Sequence, residues 1–195
     1  MTGRTRIAIW VAALVAGVAS AGVYAVATQD DDSTTSLDAM LEEPGTYEVP
    51  GIGTNAPVVG LQLPDVTLVD LDGNEVSTAD LLGTPLVLNV WFSTCQPCKR
   101  EMPHFAALDA EMGDQIRFVG INPNDTAEGA ATFAAEFGVK YPTLLDRNGA
   151  FTSANGISTF PSTLFVAADG TIVRQKAGEL TEDELRRVID EELLG

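Results

Sequence analysis

Apolar and polar positions change their spacing several times along the chain, and each change marks an element. Residues 7–27 form a run of 21 positions without a charge. As a helix that run would be about 31 Å long at roughly 1.5 Å per residue, one hydrocarbon thickness. From about Ala56 the spacing becomes that of a folded domain. Residues 66–69 and Val76 flank Asp70-Leu71-Asp72-Gly73-Asn74, a hairpin signal. Residues 86–92 are almost continuously apolar, as in a strand buried on both faces. Over 96–112 the spacing turns helical, with Met102, Phe105, Leu108 and Met112 near one side. A second apolar strand follows at 116–121, then a helix over 126–137 ended by Gly138, then a short strand at 143–145. Residues 162–167 and 171–175, joined by Ala168-Asp169-Gly170, predict another hairpin. Thr181-Glu182-Asp183-Glu184 is a capping box opening a last helix whose stripe is Leu185, Val188, Ile189 and Leu193. Strands interleaved with helices, then a hairpin and a helix, predict an α/β sandwich around a central mixed sheet.

Charge divides the chain further. Among 195 residues there are 11 Lys or Arg, 28 Asp or Glu and one His, a formal net charge of −17. Such a surface repels phosphate backbones, so nucleic acid is excluded as a partner, and adhesion of the folded part to anionic lipid is disfavoured. The length allows one ordinary domain plus an appendage. Residues 1–6 are a basic head with Arg4 and Arg6, and basic residues stay inside. The expected localisation is therefore the cell membrane, single-pass, with a cytoplasmic N-terminus, 7–27 as transmembrane anchor, and an extracytoplasmic C-terminal domain. Secretion after signal cleavage is the alternative, since Ala19-Ser20-Ala21 and Ala25-Val26-Ala27 both fit a small-x-small site. The run exceeds the roughly 7–15 residues of a signal h-region, which favours the anchor. Residues 28–55 carry seven acids, no base and several Pro and Gly, the composition of a solvated tether. The domain proper is expected at 56–195.

Only one cluster looks reactive. Cys95-Gln96-Pro97-Cys98 lies where a buried strand feeds a helix start. Helix N-termini present unpaired N–H groups and the positive end of the dipole, both of which stabilise a thiolate. In such motifs a thiol pKa falls to about 3.5–7 from roughly 8.5. Cys95 would sit at the cap with its sulfur exposed as nucleophile, and Cys98, one turn later, would resolve the mixed disulfide. Pro97 suits a first turn because it has no N–H to lose. Lys99 and Arg100 add positive charge. An inert crosslink is the plain alternative, but so small a ring contributes only about 2 kcal/mol. A metal site of Cys95, Cys98 and His104 lacks a second ligand pair at finger-like spacing. His104 itself, Lys176 and Arg174 read as surface positions, Trp91 and Phe92 as core.

The stretch from Asn89 to Pro103, NVWFSTCQPCKREMP, resembles the active-site segment of thioredoxin-like proteins. It is most similar to the membrane-tethered TlpA/ResA-type thiol–disulfide oxidoreductases. Thr159-Phe160-Pro161-Ser162-Thr163 matches that family's cis-proline loop. The resemblance implies a thioredoxin-like sandwich with an N-terminal extension and a helix–strand insertion at 125–146. It also implies that the proline loop faces the disulfide and pairs with substrate backbone, making Thr94, Gln96, Pro97, Phe160 and Pro161 substrate-binding. The activity implied is reduction of protein disulfides through Cys95 and Cys98, with apocytochrome c among the substrates and a membrane thiol as electron donor. No cofactor is expected beyond the Cys95–Cys98 pair. Three positions bear on this. Asn89 stands where thioredoxin has a buried Asp, and it cannot titrate. Glu101 matches a Glu of the reductase branch, either buried beside the sulfurs and handling a proton or merely solvated. Thr94 replaces a recognition Trp, which narrows the expected substrate range. Two other functions fit the thiols: a redoxin-type thiol peroxidase, which would need an Arg-lined pocket where only Arg100 is near, and a copper-handling module, which the lack of a Met- or His-rich tract disfavours.

Overall fold

The computed structural model describes residues 54–195, which lie within one compact unit, Gly51–Gly195. Its centre is β3 (Leu86–Val90), buried at all five positions as the unbroken apolar run requires. Two strands precede it, β1 (Thr67–Asp70) and β2 (Glu75–Ser77), and five elements alternate after it. These are α1 (Gln96–Met112), β4 (Arg117–Asn122), α2 (Ala127–Glu136), β5 (Thr143–Leu145) and α3 (Ala150–Ala154). The hairpin β6 (Ser162–Val166) and β7 (Ile172–Ala177) and the helix α4 (Glu182–Glu192) complete the domain. The strands form one mixed sheet in the order β2-β1-β5-β4-β3-β6-β7.

Pairing in this sheet decides where the chemistry falls. β3 runs parallel to β4, with Val90 opposite Ile121, and antiparallel to β6, with Val90 opposite Ser162. The chain leaving β3 toward Cys95 therefore emerges beside two other segments: the turn that follows β4, and the loop that enters β6. Alternation along β3 separates two cores. Leu86, Leu88 and Val90 face a layer that includes Val58, Leu63, Leu81 and Phe151. Val87 packs with Phe105, Leu108, Phe165, Leu185 and Ile189, so α1 and α4 cover that face. Trp91 continues the second face into α2, stacking on Phe133 with ring centroids 5.0 Å apart.

Element boundaries follow local chemistry. Thr126 and Thr181 cap α2 and α4 with their hydroxyls, the latter in a reciprocal capping box with Glu184. Two short helices were not expected. The 3-10 turn Thr78–Leu81 is opened by Ser77, whose side chain accepts from Ala79 N–H. Helix α3 spans five residues, too few to show a period, and rests on Asp146, whose carboxylate accepts from Phe151 and Thr152 N–H. Among the described residues no helix is long and apolar enough to cross a membrane. The basic head, the proposed anchor at 7–27 and nearly all of the acidic segment 28–55 lie outside the described residues. The last residue of that segment, Asn55, is hydrogen-bonded into the domain: its Oδ1 accepts from Ser158 and Thr159 N–H.

Candidate active site

Strand β3 ends at Val90, and the next five residues turn into α1 under three constraints. Cys95 N–H donates to Phe92 O at 3.1 Å, closing the turn. Ser93 is gripped by Asp125: its N–H and its hydroxyl each donate to the carboxylate at 2.7 Å. Asp125 is itself held by Asn122, whose Nδ2 donates to the same carboxylate at 2.8 Å. Cys95 then occupies the N-cap of α1, and its Sγ accepts from Cys98 N–H at 3.3 Å. The two cysteines form a disulfide with Cα atoms 5.2 Å apart. Gln96 and Pro97 fill the first helical positions, Gln96 exposed and Pro97 half-buried. No acidic residue occupies the first turn to oppose the dipole.

Burial corrects one expectation. Cys95 sits at the cap, but only 7% of its surface is exposed, against none for Cys98. In the disulfide form its sulfur accepts from Cys98 N–H within the first turn, and the neighbouring Thr94 and Gln96 are both exposed. The flanking cations are engaged elsewhere. Arg100 pairs with Glu179 at 2.6 Å, and Lys99 Nζ lies 5.9 Å from the Phe133 ring centre. His104 is half-buried with Nδ1 4.0 Å from Glu182, at the limit of an ion pair.

Glu101 follows Cys98 by one helical turn. It is 1% exposed, so of the two alternatives at this position the structure adopts the buried one. Its Oε1 accepts from Asn89 Nδ2 at 2.8 Å and its Oε2 from Leu180 N–H at 3.2 Å. Loss of hydration raises the carboxyl pKa from 4.5 to about 8. The two hydrogen bonds pull it back, and nearby Glu179 pushes it further up. Between those values the buried carboxyl keeps a proton that a solvated one gives up. Asn89 thus serves Glu101 as a donor from the strand position where an ionisable partner would compete for charge.

The peptide Phe160–Pro161 is cis, immediately before β6. Phe160 packs edge-on against Phe92, centroids 5.2 Å apart, and borders the cluster that holds Cys95 and Cys98. The sheet therefore brings Phe160, and with it the cis bond to Pro161, against the cluster that holds Cys95 and Cys98; Glu101 lies one turn further along α1, Thr94 and Gln96 are exposed beside Cys95, and Pro97 is half-buried. Thr94 also borders an open groove of about 560 Å³ whose other walls include Lys99, Glu128, Thr132, Phe133 and Glu136. Asp125 and Ser93 were not anticipated as site residues. The available signal was the polar cluster Asn122-Pro123-Asn124-Asp125 directly after an apolar strand, where an α/β sheet places its functional loops. Among the described residues no group of three or more His, Cys, Asp or Glu could hold a metal ion.

Comparison with known proteins agrees with this geometry. Residues 58–191 match the redoxin domain family. The thiol-disulfide oxidoreductase ResA of Halalkalibacterium halodurans is 30% identical over 132 residues, spanning 67% of this chain and 75% of the relative. Among solved structures, MTB dsbF in its mixed oxidized and reduced forms aligns with a TM-score of 0.60 at 28% identity, covering 65% of this chain and 93% of that one. A secreted Mycobacterium tuberculosis disulfide oxidoreductase homologous to E. coli DsbE gives a TM-score of 0.60 at 25% identity, covering 65% and 95%. With a mixed sheet, a Cys-x-x-Cys pair at a helix cap and these relatives, the chain belongs to the redoxin family and is a thioredoxin-like thiol–disulfide oxidoreductase of the TlpA/ResA type.

Proposed function

We propose that this oxidoreductase works as a reductase of protein disulfides, held at the outer face of the cell membrane by residues 7–27. In the reduced protein the Cys95 thiolate attacks one sulfur of a substrate disulfide. A mixed disulfide forms, and the first substrate sulfur leaves as a thiolate that takes a proton from solvent. Cys98 then passes its proton to the Glu101 carboxylate and attacks Cys95 Sγ. The second substrate sulfur leaves, and the Cys95–Cys98 disulfide remains. Two electrons have moved to the substrate, and a thiol donor at the membrane restores the dithiol. Disulfides in CxxCH segments of apocytochrome c are the substrates this reading favours. A tether would raise the effective concentration of the domain near membrane partners.

The buried Glu101 is the observation that carries the direction. Cys98 is fully buried one turn from the Glu101 carboxyl, so a charge on its sulfur would be neither hydrated nor favoured beside an ionised Glu101. A reduced form without a strongly stabilised thiolate gives up electrons more readily, the opposite of strong oxidants. Equilibration with glutathione buffers tests this. A potential below about −230 mV is expected, and one near −120 mV would overturn the reductase assignment.

A further inference from the structure

The loop that carries Pro161 is braced from outside the sheet by one side chain. Asn55 Oδ1 accepts from Ser158 N–H and from Thr159 N–H, each at 3.0 Å. On the same amide, Nδ2 donates to Ser162 Oγ at 2.7 Å. That hydroxyl in turn donates to Thr159 O at 2.7 Å. One amide therefore grips the chain on both sides of the Phe160–Pro161 bond, at 158 and 159 before it and at 162 after it. The orientation is unambiguous, because turning the amide over would set its NH₂ against two backbone donors.

Neighbouring contacts keep Asn55 in place. Ser158 Oγ donates to Thr54 O at 3.1 Å, and Ala56 N–H donates to Gly156 O at 2.9 Å. Gly156 has φ +58°, and a Cβ added there would lie 2.4 Å from Ala56 Cβ, so the two segments approach as closely as glycine permits. The contacts that Asn55 makes join residues more than 100 apart in sequence.

We infer that Asn55 is a positioning residue for substrate: it fixes the backbone on either side of cis-Pro161 so that an extended substrate segment meets preset partners beside Cys95. This rests on the oxidoreductase reading above, in which that loop receives the substrate backbone. A loop already held in its binding geometry spares the substrate the cost of ordering it, and that saving appears as affinity. Asn55 touches neither sulfur, so its effect falls on binding and not on the exchange step.

The test uses the full chain, reduced, with an oxidised peptide carrying one disulfide as substrate. Asn55→Ala is expected to raise KM about tenfold while kcat stays within about twofold. Asn55→Asp keeps both backbone acceptor bonds, and its KM should return to within about threefold of the original. Amide exchange in the unaltered protein gives a check that needs no variant: Ser158 and Thr159 N–H should be protected despite their place in a loop. An unchanged KM, an equal loss in kcat, failure of Asn55→Asp to rescue, or rapid exchange at 158 and 159 would each overturn the inference. If the unaltered protein reduces no peptide disulfide at all, the reductase reading falls, and this one with it.

Discussion

Glu101 carries a cost that its position along α1 already foreshadows. Residues 101, 105, 108 and 112 follow helical spacing, so the carboxyl lies in line with Phe105, Leu108 and Met112 on the buried stripe. Its folded pKa of about 8 lies above the ordinary 4.5, so between those values the folded protein holds a proton that the unfolded chain has lost. Stability must then fall as pH rises through that window, on the order of 1.4 kcal/mol per unit, and level off above it. Glu101→Gln is expected to remove this slope and to be the more stable protein at pH 8. Urea unfolding of both proteins from pH 5 to pH 8.5 checks it, and parallel curves would show that the carboxyl titrates normally. What the helical spacing left open was the second ligand of the carboxylate. Leu180 N–H arrives from 79 residues away, and no local pattern announces such a partner.

Among the elements, the turn between β4 and α2 reaches the site directly through Asp125. Asp125 receives three hydrogen bonds, two from Ser93 and one from Asn122, and so fixes the loop that delivers Cys95. Hydrogen bonds to a charged group contribute about 1.5–3 kcal/mol each, with incomplete additivity. Asp125→Ala should therefore lower stability by about 2–4 kcal/mol in denaturant unfolding and slow disulfide exchange. A loss below about 0.5 kcal/mol would mean that the loop is held by other contacts. Most of these elements were legible. The helix over 96–112 and the strand over 143–145 stand where the spacing put them, and Thr126 and Thr181 cap the two later helices. Helix α3 was not legible, because five residues anchored by the side chain of Asp146 carry no period. Nor was the pairing of β1 with β5, which joins the first hairpin to the far side of the sheet through Val69–Leu145 and Asp70–Leu144. Strand order is a choice made by packing, which alternation within one strand does not encode.

At the scale of the molecule, the sheet acts as a frame that converges two sequence motifs. Cys95-Gln96-Pro97-Cys98 and Phe160-Pro161 meet because β3 and β6 are antiparallel neighbours with Val90 opposite Ser162. The motifs were readable separately, and their meeting was readable only by resemblance. A thiol–disulfide oxidoreductase with this frame should be caught on its substrates when the resolving thiol is missing. Replacing Cys98 with Ala in the full chain is expected to leave proteins joined to Cys95 by dithiothreitol-sensitive bonds, identifiable after isolation of membranes. Complete absence of such adducts would weigh against Cys95 as nucleophile.

The central place of β3 has a bearing on how the protein comes into being. Its five buried residues are flanked by strands that lie roughly 30 and 75 residues further along the chain. While the polypeptide is still emerging, this greasy ribbon has both long edges open to other chains. Nascent protein is therefore open to mispairing until the last hairpin arrives, and a product ending short of Ser162 would be prone to clump rather than to work at reduced rate.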